Sequence, residues 1–532
     1  MKVLVSDSLS GEGLDYLKEN AEVDFKPDIS PEELLEQIGK YDALVVRSRT
    51  KVKAEVIEAG KKLKVIGRAG VGVDNIDVDK ATEKGIIVVN APHGNTISAA
   101  EHAIALLTSL ARNIPVANSS VKRGEWKRSE HIGVELNDKT LGVVGLGRIG
   151  SEVARRARAM GMKIIGYDPY ISSEQAEKMG IDMVAFEDLL KQSDFITLHL
   201  PLGSSTHHLI GEKEIAMLKS DVRIVNCARG GLIDEDALCS ALQDGKVAGA
   251  ALDVFEQEPP ESCKLLELDN VIATPHLGAL TQEAQANVAF QVSEQVIKAL
   301  QGDPNVSAVN VPALMPEKRV ALEPYLPLMR VMGSFYLQMF GGSVDELELT
   351  YSGDVSSLPL APMTISCLIG FLRHVVGDGV NWVNAPYIAK QRGIIVKESS
   401  TTEAKNYSNL ITIKARSGNK EHNLAGTILN NEMRIVRVDD YRIEIIPSKY
   451  MLVTTHHDRP GVVGKIGSLL GEEKVNIASM QLGRKTAGGE AMMVLQVDEE
   501  MSSETLEKVE ALDIIDTARF VVIENNTAGE NI

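Results

Sequence analysis

Cysteine is scarce: 532 residues carry only Cys227, Cys239, Cys263 and Cys367, with no Cys-x-x-Cys pair or other metal-binding spacing. That excludes a disulfide-stapled secreted fold, fits a reducing compartment, and leads us to expect a cytoplasmic protein without a bound metal. No stretch reaches the roughly 18 apolar residues of a membrane span. The opening MKVLVSDSLSGEGLDYL has too short an apolar run for a signal peptide and reads as a first strand. Basic residues are outnumbered, 56 Lys and Arg against 74 Asp and Glu, for a net charge of -18. A surface this negative excludes generic binding to nucleic acid or anionic membrane, while leaving room for a local basic pocket. What is present is ordinary for a globular protein, 44% hydrophobic and 24% charged. The length predicts three to four domains.

The first 90 residues alternate strand and helix signals. MKVLVS, ALVVRS, LKVIGRAG and GIIVVNAP are short β-branched runs bounded by turn residues, and Ser30-Pro31 opens a helix with a cap and a first-turn proline. A long apolar helix follows at about 98–112. The same grammar restarts at Thr140 and runs through eight more strand and helix segments to VIATPH, then a helix at about 281–300. Strands alternating with helices predict parallel sheets. Pro304, Pro312 and Pro316 mark a boundary near 303–316. Beyond it, helices precede a run of strands over 317–448, which predicts a separate α+β module. The last segment, 449–525, reads β-α-β-β-α-β, the ferredoxin-like order, and the tail NNTAGENI is expected to fray.

The strongest local signal is TLGVVGLGRIG, in which Gly145, Gly147 and Gly150 lie between a strand and a helix. Gly145 permits the tight turn, Gly147 the approach of backbone to a pyrophosphate, and Gly150 close helix–strand packing. The helix N-terminus then offers free N–H groups to phosphate. Asp168, eighteen residues beyond Gly150, is placed to accept from the adenine-ribose hydroxyls and to repel a 2′-phosphate, so NAD is the expected cofactor. The alternative is a glycine turn in another α/β fold, with Asp168 capping a strand.

Three downstream strand ends supply a guanidinium, a carboxylate and an imidazole: NCARGG with Arg229, VFEQEP with Glu258, and ATPHLG with His276. Such a set suits hydroxyl oxidation. An imidazole takes the proton, a carboxylate orients it, and a guanidinium holds a substrate carboxylate with paired hydrogen bonds. Spacing alone leaves their convergence open, and a lone histidine is more often structural.

GLGRIG, NCARGGLIDEDAL, ALDVFEQEPP and TPHLGALTQEAQ resemble the signatures of the D-isomer-specific 2-hydroxyacid dehydrogenase family. The resemblance implies an α/β architecture of two doubly wound Rossmann-like domains: a discontinuous substrate-binding domain, 1–97 and 284–316, and an NAD domain, 98–283. An intervening α+β domain, 317–448, and a ferredoxin-like ACT domain, 449–525, then follow. It implies His276 as acid–base, Glu258 as its partner and Arg229 as the carboxylate-binding arginine. It also implies Arg148, Ile149, Cys227, Asp253 and Gly278 as cofactor contacts, besides Asp168. The family dimerises through the nucleotide domain, so a homo-oligomer, a tetramer, is expected. Another member of the class, such as a glyoxylate or hydroxypyruvate reductase, or a non-catalytic NAD sensor, would share these signatures.

Arg47, Arg49 and Lys51 in VVRSRTKV follow a strand, and in extended chain residues two apart share a face. That is a seat for a phosphate dianion, or alternatively a basic edge that discourages strand aggregation. With the Gly70-Val71-Gly72 loop, which the resemblance places near the substrate carboxylate, it suits a phosphorylated 2-hydroxy acid, and the resemblance implies 3-phospho-D-glycerate. The motif HHDRPGVVG resembles the amino-acid-binding ACT domain, with His456, Asp458 and Asn476 at its ligand positions and L-serine as the implied effector. The alternative is a pure assembly module.

Overall fold

The computed structural model describes residues 1–303, 306–312, 316–377, 379–404 and 406–524. Pro304 and the tail 525–532 lie outside the described residues.

Two parallel sheets build the first 300 residues. The first contains β1 (Lys2–Val5), β2 (Glu22–Phe25), β3 (Ala43–Val46), β4 (Val65–Arg68) and β5 (Ile87–Asn90), in the order β2-β1-β3-β4-β5. The second contains β6 (Thr140–Val144), β7 (Lys163–Tyr167), β8 (Asp182–Met183), β9 (Phe195–Leu198), β10 (Val222–Asn226), β11 (Val247–Leu252) and β12 (Val271–Ala273), in the order β12-β11-β10-β9-β6-β7-β8. Each order reverses once, beside β1 and beside β6. Ligands in such sheets bind where the order reverses, outside the carboxyl ends of the strands. β1, β3, β6, β9 and β10 are almost wholly buried, as sheets covered by helices on both faces require.

The chain leaves the first sheet through the helix Thr96–Ala111, which packs on the second sheet, and returns with the helix Gln282–Leu300. Val288, Val292 and Val296 of the returning helix pack on Val3, Val45, Val65 and Val89 of the first sheet. Gly67 makes this approach feasible, because a Cβ there would lie 2.4 Å from Cγ2 of Val296.

The third sheet contains β13 (Glu346–Gly353), β14 (Ile395–Thr401), β15 (Asn409–Ser417), β16 (Lys420–Leu429), β17 (Glu432–Val438) and β18 (Tyr441–Ile445), in the order β14-β13-β15-β16-β17-β18. Only β13 and β14 pair in parallel; the rest are antiparallel. Helices Tyr325–Phe340 and Leu360–Val376 cross closely at Gly333 and Gly370, where an added Cβ would meet a backbone oxygen at 2.2 and 1.9 Å. The fourth sheet contains β19 (Tyr450–His457), β20 (Ile477–Arg484), β21 (Glu490–Val497) and β22 (Ile515–Val522), antiparallel in the order β20-β21-β19-β22. Its two helices pack in a core of their own, and Met451, Val453, Met492, Val494 and Val521 from its other face join the core of the third unit. The Gln338 amide seals the β22 edge by bonding both ways with the Val522 backbone at 2.9 Å.

Three strands escape a pattern reading. β2 (EVDF), the two-residue β8 (DM) and β14 (IVKESST) are sheet edges whose sequences lack an apolar run. The extended run expected through Arg47, Arg49 and Lys51 is also corrected: β3 ends at Val46, and residues 48–50 bend.

Val296 is fully buried between helix and sheet. Val296→Ala should lower stability by about 2 kcal/mol, read as an earlier first transition in chemical denaturation. An unmoved transition would contradict this packing.

Candidate active site

The glycine turn after β6 has the form its sequence dictates. Gly145 sits at φ +92, with a Cβ position only 2.6 Å from the His199 carbonyl oxygen. A Cβ on Gly150 would lie 2.0 Å from the Gly145 carbonyl, whereas around Gly147 nothing lies within 4 Å. The turn is therefore closed on its packing side and open where a ligand would approach. Helix Arg148–Ala159 starts there without a side-chain cap, leaving its first N–H groups for an anion. Asp168 accepts from the Leu146 N–H and the Tyr170 N–H, each at 2.9 Å, which fixes its carboxylate and leaves further acceptor capacity. Arg148 donates to the Pro92 carbonyl at 3.0 Å, linking the two parallel-sheet units. Ile149 is half-buried beside this turn. The cradle fits a dinucleotide.

The second cluster lies at the ends of β10, β11 and β12. His276 Nδ1 is 2.8 Å from Glu258 Oε2. The hydrogen bond to Glu258 raises the imidazole above its ordinary range, against a burial effect that would lower it. Burial works to raise the Glu258 carboxyl, and the His276 contact overrides it, holding it below the usual carboxylate range. Arg229, Glu258 and His276 follow the neighbouring strands β10, β11 and β12, and the Arg229 cation opposes the His276 charge. His276 itself sits at φ +55, in the left-handed region a histidine seldom occupies, and its N–H bonds to the Asp253 carbonyl at 2.9 Å.

The side chain of Asp253, an expected cofactor contact, is 0% exposed and lies beneath this turn. It accepts from Thr274 Oγ1 at 2.6 Å, from the Leu277 N–H at 2.7 Å and from the Gly278 N–H at 2.8 Å. Burial would raise its pKa, but these bonds and a His102 contact keep it ionised below the usual range. Cys227, half-buried, is pushed up by burial and by the Asp253 charge.

Facing this cluster, the first sheet contributes the 70–74 loop. Arg229 Nε is 3.2 Å from Asp74 Oδ2, and a Cβ on Gly72 would fall 2.1 Å from Arg229 Nη2. Asn90 donates to the Val71 carbonyl at 2.6 Å, and the Ala91 N–H to Gly70 at 3.0 Å. Arg47 and Arg49 gather on the bend after β3 because buried Asp7 accepts from the Arg47 N–H, the Thr50 N–H and hydroxyl, and Arg49 Nε. Asn75 ties the same bend down through the Arg47 and Thr50 carbonyls. Arg68 was not foreseen: burial and the nearby Arg229 cation push it down to about 10, and its Nε has no hydrogen-bond partner. Its position at a strand end, like those of Asp7 and Arg229, was the available signal.

In the fourth unit, His456 is buried with Nδ1 unpartnered, and burial lowers its pKa. Asp458 accepts from the Gly488 N–H and Arg484, at 3.1 and 3.2 Å, at one end of β20. Asn476 precedes the other end, donating to Asp498 at 2.6 Å. Eight residue steps of strand separate those ends, roughly 25 Å. One chain alone does not bring Asp458 and Asn476 together. Among the described residues no helix is long and apolar enough to cross a membrane, and no cluster of His, Cys, Asp and Glu could hold a metal ion.

A dinucleotide cradle beside an imidazole–carboxylate–guanidinium cluster defines a nicotinamide-dependent dehydrogenase. Residues 104–278 match the D-isomer specific 2-hydroxyacid dehydrogenase NAD binding domain, 321–439 the D-3-phosphoglycerate dehydrogenase intervening domain, and 450–513 the ACT domain. The chain is 50% identical to D-3-phosphoglycerate dehydrogenase of Methanocaldococcus jannaschii, over 96% of this chain and 98% of that one. It is 44% identical to the Bacillus subtilis enzyme of the same name, over 96% and 97%. D-lactate dehydrogenase from Aquifex aeolicus, solved with NAD and lactic acid, superposes with a TM-score of 0.51 at 31% identity, covering 57% of this chain and 96% of that chain. The chain belongs to the D-3-phosphoglycerate dehydrogenase family, within the D-isomer-specific 2-hydroxyacid dehydrogenases.

Because Glu258 raises the His276 pKa, Glu258→Gln should lower it. A step needing protonated His276 would then fail at lower pH, and one needing the free base would begin at lower pH. The variant should also lose about a hundredfold in kcat. A pH–rate profile superimposable on wild type would contradict the pairing.

Proposed function

We propose that this chain interconverts 3-phospho-D-glycerate and 3-phosphohydroxypyruvate with NAD, the first step of L-serine synthesis, under feedback by L-serine. The observation that carries the reading is the convergence of Arg229, Glu258 and His276 opposite the 70–74 loop and the Arg47 bend. Bound NAD+ supplies the hydride acceptor for C2. His276 takes the C2 hydroxyl proton, and Glu258 stabilises the resulting imidazolium. Arg229 and the backbone of Gly70, Val71 and Gly72 hold the carboxylate, and Arg47 and Arg49 seat the phosphate. Asp7, Ser6 and Ile29 occupy three of Arg49's N–H groups, so Arg47 carries more of that task. Gly145, Gly147, Arg148, Ile149, Gly150 and Asp168 hold the dinucleotide, with Cys227 and Gly278 lining its nicotinamide end.

For the effector, the placement of Asp458 and Asn476 supports a two-chain site. β20 is a sheet edge carrying exposed Met480 and Leu482. Antiparallel pairing of two such edges would set Asp458 of one copy near the other copy's Asn476, with His456 beside them. This is also the reading behind a homo-oligomer, with a tetramer as the proposed state.

The test is NADH oxidation with 3-phosphohydroxypyruvate and with hydroxypyruvate. The phosphorylated substrate should win by on the order of a hundredfold in kcat/KM, and Arg47→Ala should erase at least tenfold of that preference. NADH binding without oxidation of either compound would overturn the reading. L-Serine should suppress wild-type turnover, and Asp458→Ala should relieve suppression without lowering uninhibited activity. An inhibition curve unchanged in that variant removes Asp458 from the effector site.

A further inference from the structure

The helix Thr96–Ala111 does more than connect the two sheets. From it, His102 Nε2 reaches 3.1 Å from Asp253 Oδ1 and 3.2 Å from Thr274 Oγ1. Four residues earlier, buried Ser98 donates to the Gly278 carbonyl at 2.8 Å. The helix therefore grips the 274–278 turn at both ends, and His276 rides between the grips. An ionised carboxylate can only accept, so Nε2 carries the proton toward Asp253. His102 thus hydrogen-bonds the Thr274 hydroxyl and stands at ion-pair distance from a carboxylate with no access to water, whose donors are Thr274 Oγ1 and the Leu277 and Gly278 N–H groups.

We propose that His102 is a positioning residue for the reaction: through Asp253 it holds the turn that aims His276 and helps preserve the negative charge beneath it. The groups facing His276 are Glu258 and Asp253, both after β11, and Arg229, after β10; Glu258 and Asp253 favour its protonated form and Arg229 opposes it. Removing His102 takes the ring from the Thr274 hydroxyl and a proton-bearing group from beside the buried carboxylate. Such a carboxylate relaxes by shifting its partners or by binding a proton, and either loosens the turn. Both changes make His276 less basic. No contact of His102 with substrate or cofactor is invoked.

The inference rests on His276 as the acid–base group. The test compares wild type, His102→Ala, His102→Gln and His276→Ala, in the reductive direction across pH, with NADH binding measured for each. His102→Ala should lose about tenfold in kcat, with KM values within about twofold. Reduction needs protonated His276, so its alkaline limb should move to lower pH by about half a unit. His102→Gln, whose amide can donate to Asp253, should recover to within about threefold of wild type. Thr274→Val, which removes the hydroxyl donor and leaves the helix untouched, should move the limb the same way. Unchanged kcat and limb in His102→Ala, a glutamine no better than alanine, or an unmoved limb in Thr274→Val each overturn the proposal. Retained turnover in His276→Ala overturns instead the assignment on which it rests.

Discussion

A carboxylate sealed from water at the end of β11 is the constraint around which this site is organised. Burying an ion costs several kcal/mol unless its acceptor positions are filled. Asp253 meets that requirement with donors from the turn that follows β12, one of them braced by His102 from a helix more than a hundred residues upstream. Its backbone carbonyl also accepts from the His276 N–H. The turn cannot relax without exposing or orphaning this charge. That requirement holds His276 in a left-handed backbone conformation that costs on the order of 1 kcal/mol elsewhere. Such strain persists where the surroundings over-determine it.

The same logic recurs across the cleft. Asp7, at the end of β1, is 3% exposed and organises the bend that carries Arg47 and Arg49. Two buried aspartates, one under each sheet edge, thus hold opposing halves of the cleft: a cationic bend on one side, the His276 turn on the other. Arg229 and Asp74 join the halves. Arg68, with an unpartnered Nε and a depressed pKa, shows that positive charge is concentrated here without full compensation. In a chain of net charge -18, that local excess suits an anionic ligand.

Much of this was legible in the order of residues. Apolar runs bounded by turn residues located nearly every buried strand, and three glycines located the turn between β6 and its helix. The polar edges β2 and β14 were not legible, because an edge strand needs no apolar pattern. The bend at 48–50 was missed because its cause, Asp7, lies forty positions away. Asp253 was found as a motif position, but its burial depends on donors that no local pattern links to it. His102, in an apolar helix, reads as an ordinary core histidine. Asp458 and Asn476 were read as one site, though a whole strand separates them within one chain.

The central claim is that buried Asp253 builds and electrostatically tunes the acid–base turn. The most direct measurement is an NMR titration of the His276 ring in wild type and in Asp253→Asn, both with NADH bound. The account predicts that His276 titrates above the ordinary histidine range in wild type and falls in the variant, with its ring less rigidly held by Glu258. The same titration midpoint in both proteins would contradict it.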